Sequence, residues 1–199
     1  MRTALVMTFI AAAALSTAGQ TATAPAIPCT VRVAPVIRGI KLGMTTNDVL
    51  MIFPGSRETE MVKDALTRGE SHESFGLTSF LVFPSQYSSK ERFSGISSMN
   101  FLFVDGRLVQ YGVAYDGPPW PHSADFINKI ASVFKLPSAE NWIVDQGVYK
   151  AVNCDGFRVR TSVNNSGASI SVLTGEDPFK IQTERRAAAE EKQRQDFRP

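Results

Sequence analysis

The stretch from Ile37 to Gly55, IRGIKLGMTTNDVLMIFPG, constrains the fold more than any other part of the chain, because nearly every residue in it has a local structural task. It predicts the start of one short helix. Thr45 is a suitable N-cap whose hydroxyl accepts an orphan backbone N–H, and Asp48, three residues on, sets a negative side chain against the positive end of the helix dipole. Met44 before the cap and Val49 at the fourth helical position have the spacing of a hydrophobic staple. Gly43 permits a tight approach into the helix. Pro54-Gly55 then supplies one residue that cannot continue the helix and one that can leave it left-handed.

Beyond this unit the pattern turns to strands. Ser79 to Phe83 reads as a short strand, and Ser98 to Val104 followed by Arg107 to Tyr115 reads as a hairpin around Asp105-Gly106, the strongest short turn signal in the chain. The intervening Pro84 to Gly95 is polar and reads as a loop. Three prolines within Asp116 to His122 stop the sheet, after which Ser123 is expected to cap a helix running to about Leu136. Phe126, Ile127, Ile130, Val133 and Phe134 are expected on its buried face, with Pro137 ending it. Three more strands follow, from Gly147 to Asn153, Phe157 to Val163 and Ala168 to Thr174, with turns at Cys154-Asp155-Gly156 and Asn164-Asn165-Ser166-Gly167. In FRVRTSV the alternation points Phe157, Val159, Thr161 and Val163 one way and Arg158, Arg160 and Ser162 the other, so one sheet face is wet. Short turns between sequential strands imply antiparallel pairing. The fold class is therefore α+β: one domain over 37–176, an antiparallel sheet with helices packed on one face.

The ends of the chain carry different information. Residues 1–18 have the pattern of a secretory signal peptide: Arg2 in the n-region, an apolar run from Ala4 to Leu15, and Ser16-Thr17-Ala18 as a small-residue cleavage site. That run is too short for the roughly 20 residues that span a bilayer. Residues 19–36 read as an extended segment. Pro28 stands before Cys29 where a lipoprotein would want a small residue, which argues against a lipid anchor. Cys29 and Cys154 are the only cysteines, and in an exported chain they are expected to pair as a structural disulfide. At the other end, residues 177–199 start with Pro178 at a first helical position and continue with alanines and mixed charges. Glu190 and Arg194 have the favourable i to i+4 orientation. Only Phe179 and Ile181 offer anchors, so this tail reads as a charged, largely solvated helix.

Charge and chemistry exclude several function classes. Lys plus Arg number 21 against 19 Asp plus Glu, so no polyanion partner is implied, and no basic face interleaved with aromatics points to nucleic acid. No catalytic, cofactor-binding or metal-ligating set stands out. Glu70, His72 and Glu73 in RGESHES lack dedicated ligand spacing and read as a solvated loop. His122 lies at a Pro-rich entrance to a helix, and Asp105, Asp116 and Asp155 sit at turns, where aspartate bonds to backbone. Asn164-Asn165-Ser166 matches a glycosylation sequon that the turn alone explains. Trp120 and Trp142 are expected to cover the edge of the core rather than to form a binding patch.

With the residues in view, the run from Ile40 to Gly55 resembles the Gly-Met-Thr, two residues, then acidic-Val signature of exported bacterial proteins, among them the β-lactamase inhibitory proteins and the small lipoprotein of the outer-membrane assembly machine. Gly43, Met44, Thr45, Asp48 and Val49 carry the likeness. The resemblance implies a helical unit followed by an antiparallel sheet, and action by binding other proteins. Two expectations for function result. One is a non-enzymatic interaction domain of the bacterial cell envelope, exported to the periplasm or beyond, that contacts another envelope or secreted protein through the tail or through a sheet face carrying Arg158 and Arg160. The other is a small-ligand carrier or enzyme with a cleft between sheet and helix.

Overall fold

A computed structural model describes residues 28–165 and 167–198 of the chain. The signal-peptide reading of residues 1–18 and Ser166 of the sequon lie outside the described residues. Among the described residues, four α-helices and seven strands run in the order α1 (Thr46–Ile52), α2 (Glu60–Glu70), β1 (Leu77–Val82), β2 (Ile96–Val104), β3 (Arg107–Tyr115), α3 (Ser123–Phe134), β4 (Ile143–Asp145), β5 (Tyr149–Cys154), β6 (Phe157–Asn164), β7 (Gly167–Thr174) and α4 (Pro178–Asp196). The strands form a single antiparallel sheet in the order β1-β2-β3-β7-β6-β5-β4. The expected α+β class is the observed one.

The capped unit forms as its residues dictate. The Thr45 side chain accepts from the Asp48 N–H at 3.1 Å and the Asp48 carboxylate accepts from the Thr45 N–H at 2.9 Å, a reciprocal capping box. These contacts hold the Asp48 carboxyl below the ordinary aspartate range. What the local pattern does not reveal is why the unit sits where it does. Gly43 N–H donates to the Leu108 carbonyl, Leu108 N–H to the Met44 carbonyl, and Thr46 N–H to the Gly106 carbonyl. The segment entering α1 thus pairs with the first residues of β3, which pins the helix to the β2–β3 hairpin. That hairpin turns at Asp105 (φ 49°) and Gly106 (φ 72°), both left-handed as the sequence signal requires.

One face of the sheet carries the core. Phe80, Phe101, Tyr111, Val172, Val159 and Val152 form one row straight across six strands, all buried. α1, α2 and α3 pack on this side. Val49 and Phe53 from the α1 region are fully buried, and Phe53 packs in a tilted pair, ring centroids 4.8 Å apart, against Phe93, which a 3-10 turn at Lys90–Phe93 delivers from the polar loop. α2, which the sequence reading did not anticipate, buries Val62 and Ala65 and brings Gly69 so close to Thr78 that a Cβ there would collide with its side chain. α3 corrects two expectations. Ser123 is its first residue rather than its cap, which is His122, extended and without a side-chain cap bond. Val133 is exposed while Ala131 is buried. At about 100° per residue the buried arc runs from Phe126 through Ile130 to Ala131, and Val133 falls about 90° from its middle.

Two cross-links fasten the N-terminal segment to this body. Cys29 and Cys154 form a disulfide across a sequence separation of 125. The buried Tyr111 hydroxyl donates to the Pro35 carbonyl. Burial pushes the Tyr111 hydroxyl above the usual tyrosine range, and Tyr115 is raised for the same reason. A Cys29→Ala, Cys154→Ala protein is expected to lose about 4 kcal/mol in urea unfolding relative to the oxidised protein. A loss under about 1 kcal/mol would show that the bridge adds little to the fold. Because the folded tyrosines keep protons that the unfolded chain releases, stability is full below about pH 10 and falls as pH rises beyond it. The urea midpoint measured from pH 8 upward should show this decline, and Tyr111→Phe should flatten it.

Candidate functional site

Strand alternation that buries Phe157, Val159 and Thr161 necessarily sends Arg158, Arg160 and Ser162 to the opposite face. The register carries that face across the sheet. Asn100, Gly112, Ser171, Arg160 and Ala151 stand in one row, and Ser98, Ala114, Ser169 and Ser162 in the next. Most of these side chains are small and polar, so the middle of the face is a shallow floor with larger groups at its ends. Gly112 is part of the design: the Asn100 amide lies over it where a Cβ would be.

The arginines are not free on this face. Asp145, from the three-residue edge strand β4, lies 3.0 Å from Arg158 Nη2 and 2.6 Å from Arg160 Nε. It reaches them over β5, where the fully buried Ala151 leaves room for the crossing. The arginine side chains are 26% and 22% exposed and that of Asp145 12%. Two cations share one carboxylate at a site half shielded from solvent, with Glu176 and Asp177 lining the same depression, and the contact ties the short edge strand to the middle of the sheet. Sequence reasoning found the arginines by alternation but missed Asp145, because three residues show no periodicity.

The start of α4 covers one corner of the same face. Leu102, Val104 and Leu173 are buried there, on the side opposite the main core, and Val104 shares a depression with Pro178 and Ile181. Of the two anchors expected for the tail, Ile181 meets the sheet and Phe179 does not. Pro178 is buried while Phe179 remains 58% exposed, because the helix meets the sheet along its Pro178, Ile181 and Gln182 side. Gln182 Nε2 donates to the Ser74 carbonyl at 3.2 Å, and Arg185 donates to the Phe75 carbonyl and in a fork to both Asp105 oxygens at 2.8 and 2.7 Å. That fork holds the Asp105 carboxyl below its ordinary range. The turn aspartate therefore serves as a latch for α4.

The other candidate residues fall apart in space. Glu70 ends α2, and His72 and Glu73 lie in an exposed 3-10 turn. Among the described residues no group of three or more His, Cys, Asp or Glu is placed to hold a metal ion. His122, Asp116 and Asp155 are exposed at turns or helix entrances, with Asp155 at 3.6 Å from Arg32. Trp142 is buried and its Nε1 donates to the Pro137 carbonyl at 2.8 Å, while Trp120 packs edge-on against Phe126. Gly43, Met44, Thr45, Asp48 and Val49 lie together at α1, on the helical side of the sheet. No helix among the described residues is long and apolar enough to cross a membrane.

Replacing Asp145 with Asn should leave two half-shielded guanidiniums without their counter-charge. The expected cost is about 2 kcal/mol, below the value for a fully buried pair because the arginines still reach water. Hydrogen exchange should show β4 losing protection while β6 and β7 keep theirs; equal protection in variant and parent would mean that the ion pair does not hold the edge. Neither a scan against protein-family models nor searches of the curated proteins and of the solved structures found a match to this chain.

Proposed function

We propose that this chain is an exported, non-enzymatic interaction domain of the bacterial cell envelope, which docks another protein on the open face of its sheet. The observation that carries this reading is the face itself: Ser98, Asn100, Ser162, Ser169 and Ser171 lie on or between central strands, partly or fully exposed, with α4 covering only one corner. A sheet this wide with one bare side offers a broad, nearly flat surface of the kind a folded partner fits. On the helical side, Phe53, Phe93, Phe101, Phe103, Met99 and Tyr111 are all fully buried and fill the space between sheet and helices. That filling supports a docking surface over a carrier or enzyme with a ligand cleft there.

Arg158 and Arg160 act in this reading as a rigid cationic end to the floor. Asp145 orients them, so a partner's polar groups meet donors whose position is already set. The disulfide and the leader-like pattern of residues 1–18 support export. The resemblance of the Gly43 to Val49 run to exported binding proteins points the same way.

A photo-crosslinking residue placed at Ser171 in cells should give one defined protein adduct, and the same residue at the exposed Lys129 on α3 should not. Arg160→Glu should weaken the Ser171 adduct. If Ser171 yields no adduct under conditions where the protein is folded and exported, or if both positions crosslink alike, the open face is not a docking surface.

A further inference from the structure

On the opposite side of the sheet a second surface has a different chemistry. Between α1 and the chain at Ser88 to Arg92 lies an open cleft of about 790 Å³. Leu42, Met44, Met51 and Ile52 supply its apolar lining, and Met51 is 70% exposed. Lys41 and Arg92 stand among the lining residues. Arg92 is held in place, its guanidinium 5.6 Å over the Phe93 ring and against Gly39, where a Cβ would strike it. The one carboxylate in the lining, Asp48, is committed to the Thr45 N–H in the capping box. Arg107, which donates to the Gly43 carbonyl at 3.3 Å, adds a further cation beside it. The cleft therefore joins the exposed Met51 and the half-buried Met44 to a positive local charge, in which Lys41, Arg92 and Arg107 outnumber the ionised Asp48.

We propose that this cleft is a second docking site, and that its occupant is a short acidic segment of a partner protein whose apolar side chains seat on Met44 and Met51 while its carboxylates face Lys41 and Arg92. Methionine side chains adapt to differently shaped apolar groups, which suits them to such a lining. Charge complementarity selects an acidic occupant. Apolar groups and cations stand side by side on this open surface, which suits a short segment carrying both apolar side chains and carboxylates. The site is independent of the open sheet face, and the two together would let the domain hold one partner on each side.

The test uses the oxidised full-length mature protein with its methionine methyl groups carbon-13 labelled. The probe is a synthetic acidic–apolar peptide, acetyl-Asp-Leu-Glu-Phe-Asp-Leu-amide, compared with its Asn/Gln counterpart and with vesicles containing phosphatidylglycerol. The acidic peptide should shift the Met44 and Met51 methyl resonances in a saturable way and leave Met61, also exposed, and the buried Met99 unmoved. Lys41→Glu with Arg92→Glu should weaken binding by about tenfold or more, and added salt should weaken it too. Should that double variant fold poorly, Lys41→Gln with Arg92→Gln is expected to give a smaller loss in the same direction. No shift with peptide on the order of 1 mM, equal binding of the neutral peptide, or shifts caused by the vesicles and not by the peptide would each overturn the proposal. None of these results bears on crosslinking at Ser171.

Discussion

Six residue pairs between β3 and β7, from Gln110 opposite Leu173 to Tyr115 opposite Ala168, hold this molecule together. On either side of that seam the sheet is local in sequence: β1-β2-β3 is one meander, joined by the loop at 83–95 and a hairpin, and β7-β6-β5-β4 another, joined by short turns. Neither meander alone makes the buried row from Phe80 through Tyr111 to Val152. Once the seam closes, apolar faces from both halves become continuous and three helices can cover them. The seam is also the entropically demanding step, since it pairs strands far apart in the chain.

Two sets of long-range ties act across this division. The Cys29–Cys154 bridge joins the N-terminal segment to β5 in the second meander, while Tyr111 in the first meander holds Pro35 of the same segment. α4 leaves the end of β7 and returns to the β2–β3 turn, where Arg185 meets Asp105. Each tie links groups that hairpin formation alone would leave independent. The exposed latch on α4 contributes little by itself, as solvent-facing ion pairs do. Its value lies in position, since it brings the first turns of α4 over Leu102, Val104 and Leu173.

The two surfaces proposed for docking have contrasting origins. The open face is what strand alternation leaves when one side of a sheet is buried and no second layer covers the other. Its polarity follows from Ser, Asn, Gln and Arg at alternate positions, and its flatness from Gly112, Ala114 and the serines. The cleft beside α1 arises from a loop. The chain from Pro84 to Phe93 folds back to seat Phe93 under Phe53, and in doing so it carries Arg92 toward Lys41 and Met51.

Much of this was legible in the residues. The capping box at Thr45 and Asp48, the Asp105-Gly106 hairpin, the alternation in FRVRTSV and the pairing of two lone cysteines all follow from rules whose partners lie within a few residues or are the only ones available. Placement of Arg158 and Arg160 on the outward face followed from the same two-residue period. Asp145 could not be found that way, because its meeting with the arginines depends on β4 pairing with β5, β5 with β6, and a small residue at 151. The helix face at Val133 was misjudged because apolar character marks a candidate for burial, whereas the direction of the sheet decides which arc of the helix is covered. Local patterning thus determined most of the elements, though not α2 or β4, together with their polarity and the fold class of this protein. Only the tertiary structure decided which charges neutralise each other, which methionines stay exposed and which sheet face stays bare, because those outcomes depend on distances between residues that the chain separates widely.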